Sequence, residues 1–70
     1  MQPANTVLAK RKFLKLTQNE IASKLNISRQ HYNAIENFKR KPSVELAMKI
    51  GNILKVNWTI FFIDSQQIDD

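Results

Sequence analysis

Apolar residues recur three and four positions apart along most of the chain, and residues that favour helix starts stand before each apolar group. This spacing is typical of short amphipathic α-helices. The segment from Val56 to Ile63 is apolar enough for a strand, but it is short and would leave an unpaired edge. The pattern therefore predicts an all-α fold, a compact bundle of about five short helices.

Capping residues indicate where each helix begins. The clearest start is the second, where Thr17 is followed three positions later by Glu20, the spacing of a capping box. About two turns later Asn26 interrupts the pattern, since asparagine tolerates the left-handed backbone of a tight turn. Only about three residues then separate the second helix from the third. The expected caps of the first four helices are Asn5 or Thr6, Thr17, Ser28 and Ser43, and the fifth helix is expected to start near Asn57.

The composition limits the domain count and the compartment. The chain has 70 residues, of which 43% are apolar and none is cysteine. We expect one domain over residues 1–70, with a folded core at about 5–63 and an acidic, flexible tail at 64–70. The lack of cysteine excludes disulfides and thiolate metal sites and favours a reducing compartment. No apolar run approaches the ~20 residues of a membrane span and no signal peptide is recognisable, so we expect a cytoplasmic protein.

Charge is unevenly distributed along the chain. Eleven Lys or Arg and six Asp or Glu give a net charge of +5. Three of the acids, Asp64, Asp69 and Asp70, lie in the last seven residues, so that residues 1–63 carry +8. A basic body suggests a polyanionic partner, nucleic acid first, although charges that only keep a small domain soluble would give the same balance.

The second and third helices carry the most specific pattern. A short helix, a three-residue turn and a helix with a polar start form a helix-turn-helix unit, in which the second helix enters the DNA major groove. Ala22 is small enough to let the two helices cross closely. The residues expected on the core side of this unit are Ile21, Leu25, Ile27, Tyr32 and Ile35.

The face of the third helix opposite the core carries planar hydrogen-bonding groups and one methyl group. At about 100° per residue from Arg29, Tyr32 and Ile35 lie together near 300° and 240°, away from this face. Arginine can bind guanine, glutamine and asparagine can bind adenine, and alanine can meet the thymine methyl group. Each residue alone could be an ordinary solvated position, but the set predicts base reading. The predicted base-reading residues are Arg29, Gln30, Asn33 and Ala34.

Five stretches together resemble the Cro and repressor type of helix-turn-helix regulator, also called Xre-type, of bacteria and phages. The resemblance covers roughly Val7 to Phe62. It implies a bundle of about five helices and a sequence-specific regulator of double-stranded DNA, a repressor, with helix 28–36 in the major groove of a short operator. The stretches are Leu-Thr-Gln-Asn-Glu-Ile-Ala at 16–22, Leu-Asn-Ile-Ser-Arg at 25–29, Ile-Glu-Asn at 35–37, Lys-Pro-Ser at 41–43, and the closing Leu54, Val56, Phe61 and Phe62.

The resemblance also implies roles for single residues. Gln18 matches the position whose side chain and helix N-terminus hold a backbone phosphate, and the helix dipole favours an anion there. Arg11 and Glu36 match a structural salt bridge between the first helix and the end of the third. The loop after the third helix matches a loop that runs beside phosphates. The residues expected to contact phosphates are Gln18, Ser28, Asn37, Lys39, Arg40 and Lys41.

The chain departs from these relatives at its turns. Where they often have glycine, this sequence has Lys15, Asn26, Phe38 and Lys55. We expect Asn26 and Asn37 to adopt the left-handed conformations instead, and Phe38 either to strain the backbone or to pack on a neighbour. Gly51, the one glycine, lies inside the fourth helix, where it costs ~1 kcal/mol relative to alanine, and it suggests a close helix contact.

The C-terminal helix suggests a partner surface. Trp58, Phe61 and Phe62 are spaced as core residues, whereas Ile60 and Ile63 would be exposed aliphatics beside them. Two recognition helices ~34 Å apart would multiply specificity, so we expect a homodimer. The candidate dimer-interface residues are Trp58, Ile60 and Ile63. An open alternative is a protein-interaction module, such as an antitoxin or an anti-regulator, built on the same bundle.

Nothing in the sequence favours an enzyme, a cofactor, a metal or a small-molecule ligand. There is no nucleophile–base pair and no glycine-rich phosphate loop. His31, the one histidine, has no ligand partner at helical spacing and is expected at the surface or near a phosphate. RNA is less favoured than DNA because a sheet with stacking aromatics is lacking. The three tail aspartates are expected to add solubility and not to bind a metal.

Overall fold

The computed structural model describes residues 5–63 as an all-helical fold of four α-helices and one short 3₁₀ helix. Helix α2 packs against α3 and α4, α1 packs against α4, and the 3₁₀ helix packs against α4. The all-α class is confirmed. The helices are α1 (Thr6–Phe13), α2 (Gln18–Leu25), α3 (Arg29–Glu36), α4 (Val44–Leu54) and the 3₁₀ helix (Trp58–Phe62).

Every helix begins at a capping side chain that accepts a backbone N–H. Asn5, and not Thr6, caps α1 by accepting from Leu8. At α2 the Thr17 hydroxyl accepts from the Glu20 backbone while the Glu20 carboxylate accepts from the Thr17 backbone, a complete capping box. The expected caps Ser28 and Ser43 are also observed, and Asn57, near the expected start of the last helix, caps the 3₁₀ helix.

The expected fifth α-helix is corrected to a short 3₁₀ helix. It spans five residues, Trp58–Phe62, and ends at the extended residue Ile63. Threonine, isoleucine and aromatic residues have modest helix propensity, and so short a segment offers few i→i+4 hydrogen bonds. The described chain therefore has four α-helices and not about five.

Each α-helix is followed by a non-glycine residue in the left-handed conformation. These residues have φ of 60° or 61°. At the end of α3 the Phe38 N–H donates to the Ile35 carbonyl and the Lys39 N–H to the Ala34 carbonyl, at 3.0 and 2.9 Å, which is a Schellman motif. The four residues are those at the expected glycine positions: Lys15, Asn26, Phe38 and Lys55.

The expectation for Asn37 is wrong, because the chain turns one residue later. Asn37 has φ −91° and it is Phe38 that has φ 60°. The Phe38 ring stacks on Phe61, with ring centroids 5.7 Å apart and an interplanar angle of 24°. Phe38 therefore both adopts a strained backbone and packs on a neighbour.

The core lies between the four α-helices and the 3₁₀ helix. Gly51 allows the chain after α4 to fold back closely, since an added Cβ would lie 2.8 Å from the Val56 carbonyl oxygen and 2.9 Å from the Trp58 Cβ. The expected close contact at Gly51 is therefore observed. The buried hydrophobic residues are Val7, Ile21, Ala22, Leu25, Tyr32, Ile35, Ala47, Ile50, Leu54 and Phe61.

Candidate nucleic-acid interface

Helices α2 and α3 form a helix-turn-helix unit. Three residues, 26–28, join them, and Asn26 turns the chain in the left-handed conformation. Ala22 is buried, and its carbonyl accepts the Ile27 N–H at 3.0 Å, which closes the end of α2. On α3, Tyr32 and Ile35 are fully buried. The face of α3 that begins at Arg29 is thereby turned away from the core.

The four predicted base-reading residues lie on the outer side of α3, but they are not equally exposed. Arg29 and Gln30 are exposed, whereas Asn33 and Ala34 are half-buried. The Ser28 hydroxyl accepts the backbone N–H of His31 at 3.0 Å and so fixes the start of the helix. The most accessible part of the surface is therefore the first turn of α3.

The basic loop after α3 is anchored to the helix. The Ala34 carbonyl accepts the backbone N–H groups of Lys39 and Arg40, at 2.9 and 3.3 Å. Asn37 Nδ2 donates to the Asn33 carbonyl at 2.9 Å. The side chains of Asn37 and of residues 39–41 are exposed. The backbone of Lys39 and Arg40 is therefore held beside the C-terminal end of α3.

A buried ion pair joins α1 to the end of α3. Arg11 donates from Nε and Nη2 to the two carboxylate oxygens of Glu36, at 2.7 and 3.0 Å, and from Nη1 to the Leu16 carbonyl at 2.9 Å. The Glu36 side chain is 1% exposed and that of Arg11 is 12% exposed. Asn5 Nδ2 also donates to the Glu36 carbonyl, at 2.9 Å. The N-cap and the last turn of α1 are thus both tied to the end of α3.

The ion pair sets the ionisation of Glu36. Burial alone would raise the pKa of Glu36, but the hydrogen bonds and the charge of Arg11 outweigh it and hold that pKa below its ordinary value. The hydrogen bond to Glu36 in turn raises the pKa of Arg11. Both groups are therefore charged at neutral pH.

Gln18 lies at the centre of a polar network that sequence reasoning missed. Its side-chain oxygen accepts from Arg29 Nη1 at 3.2 Å and from Asn33 Nδ2 at 3.3 Å, and its Nε2 donates to Glu36 Oε2 at 3.3 Å. These contacts depend on how α2 crosses α3, so no spacing in the sequence indicates them. The network connects two predicted base-reading residues with the buried ion pair.

The three candidate dimer-interface residues differ in exposure. Ile63 is 65% exposed, whereas Trp58 and Ile60 are half-buried and pack against the core. The expectation of an exposed Ile60 is therefore wrong. In a 3₁₀ helix successive residues turn by about 120° rather than 100°, which changes the side on which Ile60 lies.

Two large apolar residues of α4, Val44 and Met48, are exposed although no sequence pattern indicated them. Met48 and Val44 line an open groove on α4, together with Gly51 and Trp58. Within residues 5–63 the large apolar residues with the most exposed surface are Phe13, Ile63, Val44, Phe38 and Met48.

The described residues include no group of three or more His, Cys, Asp or Glu side chains placed to hold a metal ion. His31 is half-buried on α3. Asp64, Asp69 and Asp70, together with the predicted tail, lie outside the described residues. None of the helices within residues 5–63 has the length and apolar character that a membrane crossing requires.

The fold and the α2–α3 unit define a helix-turn-helix protein. The model of the helix-turn-helix family HTH_3 matches residues 7–61, most of the chain. The chain belongs to this family, in its Cro/C1 or Xre type.

Two relatives carry names of the same kind. The chain is 52% identical over 48 residues to the HTH-type transcriptional regulator YqaF of Bacillus subtilis, which covers 69% of this chain and 63% of that protein. It is 46% identical over 48 residues to the HTH-type transcriptional regulator MJ0272 of Methanocaldococcus jannaschii, covering 69% of this chain and 73% of that protein. The match thus spans less than two thirds of YqaF. No solved structure matches the chain significantly.

Proposed function

We propose that this protein is a sequence-specific, double-stranded-DNA-binding transcriptional regulator that places α3 in the major groove of a short operator. The observation that carries the proposal is the distribution of side chains on α3. Tyr32 and Ile35 are buried, whereas Arg29 and Gln30 are exposed in the first turn. The helix follows α2 after a connection of three residues. A helix in this setting presents its N-terminal side chains to base edges. The relatives' names as transcriptional regulators also support it.

The base-reading role falls to four residues of α3. Arg29 has the geometry for bidentate contact with guanine, and Gln30 and Asn33 have that for adenine. Ala34 supplies a methyl group that can meet thymine. Because Arg29 and Gln30 are exposed whereas Asn33 is half-buried, the first two carry most of the discrimination.

Phosphate contacts flank this surface on both sides. Lys39, Arg40 and Lys41 are exposed, and the first two are anchored through their backbone to α3. At the other side, Ser28 stands at the start of α3 and Gln18 at the start of α2, where the helix N-terminus attracts anions. Asn37 completes the proposed phosphate-contacting set.

The protein acts as a repressor in this proposal, since a domain bound at an operator blocks other proteins from that DNA. Residues 5–63 form one DNA-binding domain, and the site of action is the cytoplasm. The chemistry requires no cofactor and no catalytic group, in keeping with a family of regulators.

Two copies bind the operator together. One small module covers only about 600–1,000 Å² of its surface on DNA, whereas two copies related by a two-fold axis read two half-sites. The exposed Ile63, at 65% exposure, supports an interface near the 3₁₀ helix, with Trp58 and Ile60 beside it. Sedimentation should give a dimer at micromolar concentration or on operator DNA; a monomer under both conditions contradicts this part.

Selection of bound sequences from a random DNA pool tests the main proposal, because it reports specificity, half-site spacing and symmetry together. On the selected DNA, Arg29→Ala should cost about 1–3 kcal/mol of discrimination at one base position. Lys41→Ala should weaken binding to all sequences alike and reduce the salt slope by about one.

Lys49→Ala is the matched control, since Lys49 is an exposed lysine on α4 that is paired at 3.6 Å with Glu45 and not assigned to the DNA surface. It removes the same charge and should leave the salt slope unchanged. Equal losses on selected and random DNA for Arg29→Ala would show that Arg29 does not read a base.

A second candidate function is a protein-interaction module, such as an antitoxin or an anti-regulator. It is favoured by the open apolar groove on α4, in which Val44 and Met48 are about half exposed. Salt distinguishes the two candidates. Binding through phosphates weakens log-linearly as salt rises, whereas binding through an apolar groove hardly responds.

A further inference from the structure

We infer that the basic loop, residues 39–41, binds the acidic segment 64–70 of the same chain when no DNA is present, and that DNA phosphates displace this segment. The inference rests on the proposed contact between the loop and DNA phosphates. It adds an internal ligand for the same cations and gives the acidic segment a role beyond solubility.

The stack between Phe38 and Phe61 brings the basic loop close to the start of the acidic segment. The two ring centroids are 5.7 Å apart. The loop begins one residue after Phe38, and the acidic segment begins three residues after Phe61. Ile63, just before the segment, is extended and 65% exposed, so the chain leaves the bundle at its surface.

The acidic segment is long enough to lie along the whole loop. A chain spans at most about 3.6 Å per residue, so the segment 64–70 spans up to about 25 Å and the loop 39–41 up to about 11 Å. Because both begin beside the same pair of stacked rings, the carboxylates of the segment can reach the cations of the loop without any movement of the helices.

The charges of the two segments are opposite and equal in number. Of the three carboxylates within residues 5–63, Glu36 is paired with Arg11 and Glu45 with Lys49. The third, Glu20, accepts a backbone N–H in the capping box. Within this part of the chain the three cations of the loop therefore have no carboxylate partner. The acidic segment supplies three carboxylates, those of Asp64, Asp69 and Asp70.

A carboxylate and a DNA phosphate compete for the same cations, since both are anions that accept hydrogen bonds from lysine and arginine. A segment joined to its target acts at an effective concentration in the millimolar range. Each exposed ion pair contributes little, so phosphates can still displace the segment. The segment therefore lowers the affinity for all DNA alike, and the base contacts decide which DNA stays bound.

The first test uses the full chain without DNA. The neutral-segment variant carries Asp64→Asn, Asp69→Asn and Asp70→Asn, which remove three charges and keep the side-chain size. The backbone amide NMR signals of Lys39 and Arg40 should differ between this variant and the wild type. In the wild type they should move toward the positions of the variant as salt is raised, because salt screens exposed charges.

The control for this test is Gln66→Asn combined with Gln67→Asn, which changes the same segment and keeps its charges. It should leave the signals of the loop as they are in the wild type. Loop signals that are the same in the neutral-segment variant and the wild type overturn the inference, and the segment then adds solubility only.

A mixing experiment shows which copy supplies the segment. The isotope-labelled neutral-segment variant is mixed with an excess of unlabelled wild type. Its loop signals should stay unchanged, because the wild-type segment binds the loop of its own chain. A movement of the labelled signals toward the wild-type positions would show that a second copy supplies the segment, and the assignment to the same chain would be wrong.

The DNA arm measures the competition. The neutral-segment variant should bind selected and random DNA about 3- to 30-fold more tightly than the wild type at low salt, the combined range of one to three exposed ion pairs. Its salt slope should be steeper by up to about 2.7, since up to three phosphate contacts then release counterions instead of the segment.

Neutralising the loop separates competition from a general effect of net charge. In a background of Lys39→Gln, Arg40→Gln and Lys41→Gln, the three segment substitutions should give little or no gain in affinity. An equal gain in this background overturns the competition. If the wild type binds no DNA at all, the proposed function fails, while the NMR signals of the loop still decide whether it binds the acidic segment.

Discussion

The two ends of α3 are built from opposite kinds of environment. At the beginning, Arg29 and Gln30 are exposed and a serine hydroxyl caps the helix. At the end, about 10 Å along the axis, Ile35 and Glu36 are buried and an ion pair ties the helix to α1. The first end exposes polar groups to solvent, and the second holds the helix in the fold. One helix of eight residues thus combines the proposed recognition surface with an anchor for stability.

Because the two ends differ, substitutions that weaken binding should be separable from substitutions that weaken folding within this one helix. Side chains that are exposed contribute little to stability, whereas a buried charge that loses its partner is costly. Gln18 is the exception, since it touches Arg29 at one end and Glu36 at the other. Three experiments can break or sharpen the comparison.

The largest expected effect is at the buried end. Glu36→Ala leaves Arg11 with its charge 12% exposed and no carboxylate, and should lower the free energy of unfolding by about 3–5 kcal/mol. Arg29→Ala, at the exposed end, should change it by less than about 0.5 kcal/mol. Urea denaturation measures both. Similar losses in the two variants would show that both ends of α3 contribute equally to the free energy of unfolding.

The second test uses pH, which removes the same ion pair without a mutation. The pKa of Glu36 in the folded protein is below the ordinary value of 4.5, so the unfolded chain binds more protons at acid pH. The stabilisation is fully present above about pH 4.5 and is lost as pH falls through the folded pKa.

Urea unfolding from pH 7 to pH 3 checks this window. Glu20 also has a lowered pKa, because its carboxylate accepts the Thr17 N–H, so Glu20→Gln is the background for the comparison. If the free energy of unfolding falls between pH 7 and pH 3 by the same amount in Glu20→Gln as in the wild type, the loss comes from the buried end of α3. A loss that disappears in this background would assign it to the capping box instead.

The smallest expected effect concerns the left-handed residues that follow the helices, of which Phe38 lies at the buried end of α3. Lys15→Gly and Lys55→Gly relieve left-handed backbone at exposed lysines and should each stabilise by about 1 kcal/mol. Phe38→Gly relieves the same backbone strain but removes the ring stacked on Phe61, worth about 0.5–1.5 kcal/mol beyond area burial. It should therefore be neutral or destabilising.

Thermal unfolding of the three variants ranks them. If Phe38→Gly stabilises as much as the two lysine variants, the aromatic contact contributes nothing to holding the end of α3.

The helix starts and the buried face of α3 could be predicted from sequence because both depend on neighbours along the chain. Thr17 and Glu20 form their capping box within one turn, and Tyr32 and Ile35 share a face through the helical period. Of the left-handed turn residues, Asn26 was predicted as such, and all four lie at positions where relatives often have glycine. These features are local or carried by the family pattern.

The missed features depend on packing between distant residues. The left-handed turn falls on Phe38 and not on Asn37, where Phe38 also meets the Phe61 ring. Gln18 contacts Arg29, Asn33 and Glu36, which lie 11, 15 and 18 positions further along the chain. Ile60 is half-buried because a short 3₁₀ helix replaces the expected α-helix. The base, phosphate and dimer assignments remain predictions.

The capping of every helix also bears on how fast the chain folds. Helices of 8 to 11 residues are marginal alone, but each N-cap partner lies only two or three residues away. In the helix-turn-helix unit only three residues, 26–28, separate α2 from α3, so the two helices are close along the chain. Folds dominated by such short sequence separations cross their folding barrier in microseconds to milliseconds. Once all its helices are available, this domain should therefore refold within this range of times, which stopped-flow refolding can measure.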